Sequence, residues 1–305
     1  MHLIALLIGL VIERLATRLF HLRRLRWIDR VIDAGFRQAG RLPNWPALIP
    51  IVALVVLLVL PVLALTAVLV LGDPLLGFPY LVLGVFVLFF SLGPQDIGED
   101  VDEYCKAMQE GDKERIQETA KAIIESDVPE DTLERIHRVE EAVCVQANNR
   151  LFAVIFWFVL LGPLGAWTYR ATDLIRRRAV FVAARDEDPS GTPERLRDAA
   201  IALHGWLAWI PARLTAIGYA AAGNFDTALG AWRAPTEQET DSASEYNEQL
   251  LARVGVGALA LGDDPDEDLL TRGVRGATAA NRLVFRLLVI SAVIIAAMTL
   301  YGWTR

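Results

Sequence analysis

Two arginines in this 305-residue chain close aromatic, apolar stretches: Arg170 follows Trp167 and Tyr169, and Arg213 follows Trp206 and Trp209. Neither is read as having an obvious acid beside it in sequence. Each guanidinium therefore offers a rigid fork of donors suited to a carboxylate or a phosphate. Brought together, they would make an anion pocket with Tyr169 and Trp209 beside them. Left apart, they belong to an interfacial belt of Trp, Tyr and Arg. Asn149 and Arg150 open the first stretch and could hold a phosphate or carboxylate, or serve only as polar anchors. Near the start, Glu13-Arg14 closes a ten-residue apolar run. An ionisable pair at membrane depth is a functional candidate; the alternative is an Arg14 that snorkels to the headgroups with Glu13 at the interface.

Other chemistries find less support. Glu134, His137 and Glu141 would share a helix face, but one helix supplies too few ligands for a metal. Gly255-Val256-Gly257 with Gly262 lacks the Lys-Ser/Thr of a phosphate loop. No Ser-His-Asp or Cys-His arrangement stands out. Cys105 and Cys144 fit neither a CxxC site nor a disulfide framework and read as two buried, reduced thiols. A pI of about 5.2 without a concentrated basic domain argues against nucleic acid. The residues point to no particular cofactor.

The elements that must position these groups follow from segregation of charge. The chain is 54% hydrophobic yet 22% charged, so the charges must lie outside the apolar runs. Residues 47–71, 75–92 and 287–303 carry no charge, and each approaches the ~20 residues that span ~30 Å of hydrocarbon as a helix. The N-terminal apolar run lacks a cleavage site and reads as a retained first helix. The fold class is all-α, a polytopic integral membrane protein with a cytoplasmic helical hairpin. Five regions are expected: three membrane helices in 1–92, an acidic hairpin in 93–150, two membrane-embedded segments in 151–222, a polar cytoplasmic region in 223–283 and a last transmembrane helix in 284–305.

Orientation comes from the arginines. Eight lie between positions 14 and 41 against two aspartates, which keeps that loop cytoplasmic and the N-terminus outside. Residues 93–150 then return to the cytoplasm with sixteen acidic and seven basic residues. Apolar stripes at Ile116, Ala120 and Ile123, and at Leu133, Ile136, Val139 and Val143, make that region a helical pair. SDVPEDT lies between them, with Pro129, Glu130 and Asp131 suited to a helix start. Its acidic face is a solvated surface or a docking surface for a protein partner.

If 151–167 crossed outward, the seven arginines of 170–198 would lie outside, a poor fit to the positive-inside rule. The preferred reading is a re-entrant pair: Gly162-Pro163-Leu164-Gly165 breaks the first segment and Trp209-Ile210-Pro211 the second. A crossing path stays open, because six acidic residues share that loop.

Three stretches carry a resemblance: IERLATRLF, NNRLFAVIFWFVLLGPLGAWTYRATDLI and WLAWIPARLTAIGYAAAGNFDTALGAWR. Together, in order, they resemble the AmpE family of bacterial inner-membrane proteins. The resemblance implies a regulatory or signalling modulator of β-lactamase induction, encoded beside the cytoplasmic amidase AmpD. WIPARLTA is also similar to a stretch of the CobD/CbiB membrane enzymes of cobalamin biosynthesis, which join an aminopropanol group to adenosylcobyric acid. Their polar Glu-Asn-Thr-x-Asp run stands here as Val145, Gln146, Ala147, Asn148 and Asn149, and their Asn-Thr-Leu-Asp pattern as Asp173, Leu174, Ile175 and Arg176. The resemblance thus carries the scaffold better than the reaction. A non-enzymatic sensor of a small anionic ligand or nucleotide is expected. The alternative is an amide-forming or nucleotide-using enzyme similar to adenosylcobinamide-phosphate synthase; a transporter is weakened by the lack of a repeated helix pattern.

Overall fold

α1 (Arg26–Ala39) buries Ile28, Ile32, Phe36 and Ala39 along one stripe, the spacing of an amphipathic helix. The computed structural model describes residues 26–41, 45–71, 78–92, 97–125, 127–185, 191–234, 242–262 and 266–301. The predicted first helix, with Glu13 and Arg14, lies outside the described residues. Among the described residues every regular element is helical.

α2 (Leu48–Leu71) is apolar on all sides but buries only Ile51, Leu54, Val55 and Leu58. A helix that is hydrophobic all round yet uncovered by protein is a membrane span. α3 (Phe78–Ser91) is shorter, at 14 residues, than the run that predicted it. Among the described residues, four helical stretches are long and apolar enough to cross a membrane: 48–71, 132–183, 192–222 and 269–299.

The acidic region folds as α4 (Ile97–Glu110), α5 (Lys113–Ile124) and α6 (Thr132–Ala147). The predicted hairpin is α5 with α6, and α4 adds a third helix through Val101, Tyr104, Ala107 and Met108. The stripes Ile116, Ala120, Ile123 and Ile136, Val139, Val143 are buried, whereas Leu133, in the first turn, is 47% exposed. Asp112 caps α5 by accepting from the backbone N–H groups of Glu114 and Arg115, and Asp131 caps α6 by accepting from Glu134. Pro129 precedes α6 rather than opening it.

The chain then passes through a π-turn (Asn148–Phe152) into α7 (Ala153–Ala183). α7 is two arms, because Gly162 takes φ 64°, ψ −151°, a conformation open in practice to glycine alone. Tyr169 Oη lies 3.5 Å from Asn149 Oδ1, whereas twenty residues of straight helix would separate them by about 30 Å. The chain therefore folds back at Gly162, with Leu160 and Leu161 exposed at the tip. Gly165, on the returning arm, sits so close to the Trp157 carbonyl of the first arm that a methyl group would overlap it.

α8 (Thr192–Ala222) is continuous, contrary to the break expected at Trp209-Ile210-Pro211. Pro211 deprives the Leu207 carbonyl of its helical donor, and Trp157 Nε1 of the α7 hairpin donates to that carbonyl at 3.1 Å instead. α9 (Phe225–Arg233) leads back to α10 (Ala243–Leu259). α10 runs parallel to α8: Gly205 meets Ser244, and Gly223 meets Ala258. α11 (Leu269–Leu300) starts well before the predicted last span. Its first half joins the acidic helices, with Cys105 Sγ 3.7 Å from Thr278 Oγ1 and a buried Arg272–Glu140 ion pair. Its second half exposes Val289, Val293 and Ile294. The three largest core clusters join all of these helices rather than separating a polar domain from an apolar one.

Two outcomes follow for thermal unfolding of detergent-purified protein. Gly162→Ala is expected to cost about 1–3 kcal/mol through its backbone alone. Trp157→Phe is expected to cost about 1–3 kcal/mol by orphaning the partly buried Leu207 carbonyl, and adding Pro211→Ala, which restores the helical N–H, should recover most of that loss.

Candidate functional site

The reversal at Gly162 returns the second arm of α7 to the level of the π-turn, and polar groups that are far apart in sequence meet there. Arg150 is buried in the π-turn and fully engaged. Its Nη1 donates to Asp100 Oδ2 at 2.7 Å, its Nη2 to Glu125 Oε1 at 2.6 Å and to the Ala122 carbonyl, and its Nε to Gln146 Oε1. Glu125 caps the end of α5 in the left-handed region at φ 58°. Its Oε1 also accepts from Arg177 Nη1 at 2.5 Å, so one carboxylate ties both ends of the hairpin to the acidic helices.

A second carboxylate organises the returning arm. Asp173 Oδ2 accepts from Arg170 Nη1 and Arg177 Nε, and Oδ1 accepts from Arg176 Nη2, each at 2.9 Å. The spacings, three before and three and four after, are those at which helix side chains are neighbours. His204 of α8 places Nε2 3.9 Å from Asp173 Oδ1 and its ring 5.2 Å from that of Tyr169. Asn149 and Asn148 extend the polar row, with Asn148 Oδ1 accepting from Thr215 Oγ1 at 3.0 Å.

The cluster is incompletely satisfied. Arg170 Nε, Arg176 Nε, Arg177 Nη2 and both ring nitrogens of His204 are buried without a hydrogen-bond partner. Native proteins leave few buried donors unpaired. Two carboxylates at its edge also titrate unusually. Burial alone would raise Glu125, but Arg177 and Arg150 outweigh it and hold the carboxyl below the ordinary range. At Asp100 burial prevails over Arg150 and raises the carboxyl.

Of the residues singled out by sequence, Asn149, Arg150, Tyr169 and Arg170 come together here. Arg170 does have an acid close in sequence, Asp173, contrary to the first reading. Arg213 is placed elsewhere: its guanidinium stacks over the Trp209 ring at 3.8 Å on an outer face of α8 and donates to Asn247 Oδ1 at 3.1 Å. No contact among the described residues joins Arg213 to Arg170, so of the two alternatives, brought together or left apart, the structure has them apart. Gly255 and Gly257 are helix-packing positions against Cys144 and Ala231, not a phosphate loop. His137 lies 3.7 Å from Glu140, the partner of Arg272. Both cysteines are free and buried.

Sequence reasoning passed over Asp100, Glu125, Arg176, Arg177 and His204 as site residues. The arginines were absorbed into the charge count that sets orientation. His204, a titratable group inside an apolar helix, was the available signal.

Helices too apolar for water, joined through a buried cluster of guanidiniums and carboxylates, define a multi-pass α-helical membrane protein with a polar centre. The family described as "Regulatory signalling modulator protein AmpE" matches residues 1–304, and the chain belongs to that family. It is also similar to cobalamin biosynthesis protein CobD of Stutzerimonas stutzeri, 29% identical over 150 residues that cover 49% of this chain and 47% of the relative. The CobD of Chromobacterium violaceum is 26% identical over 183 residues, 60% of this chain and 54% of the relative. The chain thus spans about half the length of the curated relatives it matches. No solved structure matches.

The direction at Glu125 fixes a pH response. A carboxyl with a depressed folded pKa adds stability that is complete above its unfolded value and is lost as pH falls through the folded one. Asp100, raised in the fold, acts in the opposite sense. Glu125→Gln is therefore expected to flatten the acid-side loss of thermal stability between about pH 5 and pH 3, where carboxylates titrate. An unchanged acid limb would contradict the assignment.

Proposed function

We propose that this protein is a bacterial inner-membrane signalling modulator that acts on β-lactamase induction or the response to cell-wall stress, with the buried arginine cluster as its ligand-responsive part. One observation carries the reading: Asp100, Arg150, Glu125, Arg177 and Asp173 form an unbroken chain of ion pairs from α4 and α5 to the α7 hairpin. A ligand that competes for any arginine in that chain alters how the acidic helices are tied to the hairpin. Coupling of this kind needs two arrangements of one connected element, and a shared carboxylate can supply them by exchanging partners.

The membrane placement is part of the proposal. The first arm of α7, Ala153 to Leu161, reaches about 13 Å at 1.5 Å per residue, less than half of the ~30 Å hydrocarbon layer. The hairpin thus enters and leaves on one side. That side is the cytoplasm, because it keeps the arginines of 170–198 with those of 26–41 and 272–286. The acidic helices then offer a cytoplasmic face to a protein partner.

A cysteine at Val180 should stay unlabelled by a membrane-impermeant maleimide applied to whole cells and react in inverted vesicles; labelling from outside would sink the re-entrant placement. Deletion of the gene should change inducible β-lactamase activity. Unchanged induction across inducers would count against the signalling reading. The second reading, a nucleotide-using or amide-forming enzyme, draws on the similarity to the two CobD proteins. It expects Mg²⁺-dependent stabilisation of the purified protein by ATP, through mass action on the folded state.

A further inference from the structure

We propose that Arg170, Arg176, Arg177 and His204 bind a phosphate-class oxyanion, carried by a small phosphorylated ligand or by a lipid headgroup; the proposal rests on the reading of this cluster as the ligand-responsive part of the protein.

Buried donors here have no acceptor: three guanidiniums each leave an N–H unpaired, and the His204 imidazole, which offers one N–H when neutral, is also without a partner. Arg170 and His204 are almost wholly buried, and Arg176 keeps 14% of its side chain exposed. Yet Arg170 Nε, Arg176 Nε, Arg177 Nη2 and both His204 nitrogens lack partners. Arg150, by contrast, uses all three of its nitrogens. Other buried polar groups without a partner, such as Ser91 Oγ, Tyr104 Oη and Arg135 Nε, lie elsewhere, whereas four such side chains gather where the returning arm of α7 meets α8. Leaving a buried donor unmade costs about 1–3 kcal/mol, more for a charged group. Four side chains sharing that defect at one place mark a site that is complete only with an acceptor present.

Charge selects the class. Arg150, Arg170, Arg176 and Arg177 face Asp100, Glu125 and Asp173, and Asp173 alone serves three guanidiniums. The fourth acid near the cluster is Glu248 of α10, which interacts with Arg176 and whose carboxyl burial raises. The remaining titratable neighbours, Tyr169 and His204, carry no fixed negative charge. A cation would be repelled by the guanidiniums, and a neutral ligand would offer their unpaired N–H groups weaker acceptors than an anion does. An acceptor-only group with three or four oxygens and one or two negative charges answers both shortages, and guanidiniums bind it by charge-assisted hydrogen bonds. The outer edge is formed by Arg177 and Glu125, whose side chains are 27% and 23% exposed, so an anion reaches the cluster by displacing Glu125 from Arg177. That exchange would also loosen the tie between α5 and the hairpin.

Full-length protein in a neutral detergent is titrated with inorganic phosphate, with sodium chloride and sodium acetate at matched ionic strength, and separately with phosphatidic acid added to the micelles. Thermal unfolding and calorimetric titration are the readouts. Phosphate or phosphatidic acid is expected to raise Tm where chloride and acetate do not, and the arm that responds identifies a soluble or a lipid source. Arg176→Gln and His204→Gln are each expected to weaken that response at least about tenfold, with Arg176→Lys intermediate because it keeps charge without the fork. Wild-type protein that responds to neither phosphate source beyond ionic strength overturns the proposal, as does an undiminished response in folded Arg176→Gln protein. The wild-type result decides even if a variant fails to fold. If phosphate binds and the deletion strain induces β-lactamase normally, the site stands and the signalling reading falls. If deletion alters induction and neither source binds, the signalling reading stands and this site falls.

Discussion

Everything distinctive about this molecule depends on the chain reversing at Gly162. Were α7 a straight rod, Arg177 would lie about 40 Å from Arg150 at 1.5 Å per residue. Instead both guanidiniums meet one oxygen of Glu125. The turn is stabilised from outside itself. Trp157, five residues before it, donates its indole N–H to the carbonyl that Pro211 leaves free in α8. Gly165, three residues after it, permits the arms to touch. The α7 hairpin thus supplies the donor that the proline removes from α8.

The buried ion pairs fall into two kinds. Arg272 with Glu140 ties α11 to α6, and Arg150 with Asp100 and Glu125 ties the π-turn to α4 and α5. In these the guanidinium and carboxylate are matched, and removing one partner leaves a buried charge uncompensated, which is strongly destabilising. Around Asp173 the balance differs, because three guanidiniums share one carboxylate and retain unpaired N–H groups. The first kind specifies one arrangement of helices. The second leaves charged donors locally unsatisfied, the sort of departure from internal satisfaction that concentrates at functional sites.

Much of the fold was legible in the sequence because uninterrupted apolar runs such as 48–71 and 287–300 have no alternative in water, and because Ile116, Ala120 and Ile123 recur at helical spacing. Gly162-Pro163 signalled the reversal for the same local reason that produces it. Pro211 misled, since a local rule cannot see that Trp157 compensates the lost bond. The half of the site on α7 was visible as Tyr169 and Arg170. Its other half was not, because Asp100, Glu125 and His204 come from three further helices and look, in a sequence with 37 acidic residues, like any solvated charge or core histidine. Arg213 looked equivalent to Arg170 because both follow tryptophans, and only packing distinguishes a stacked surface guanidinium from a buried one.

α11 has a consequence for how the acidic helices can be handled in isolation. Its 32 residues form one rod of about 48 Å, whose first half closes the core of α4, α5 and α6 and whose second half is the last apolar span. Tyr219 of α8 donates to the Cys144 carbonyl at 2.7 Å, and Gly255 of α10 presses on the same cysteine. A recombinant fragment cut at residues 93 and 150 would therefore lose the surfaces that bury Met108, Ile136 and Cys144, and would expose them to water. Its hydrophilic composition suggests an easily soluble piece. The protein has instead made that piece's interior out of helices that continue into the lipid, so the aqueous part cannot be detached from the membrane part and stay folded.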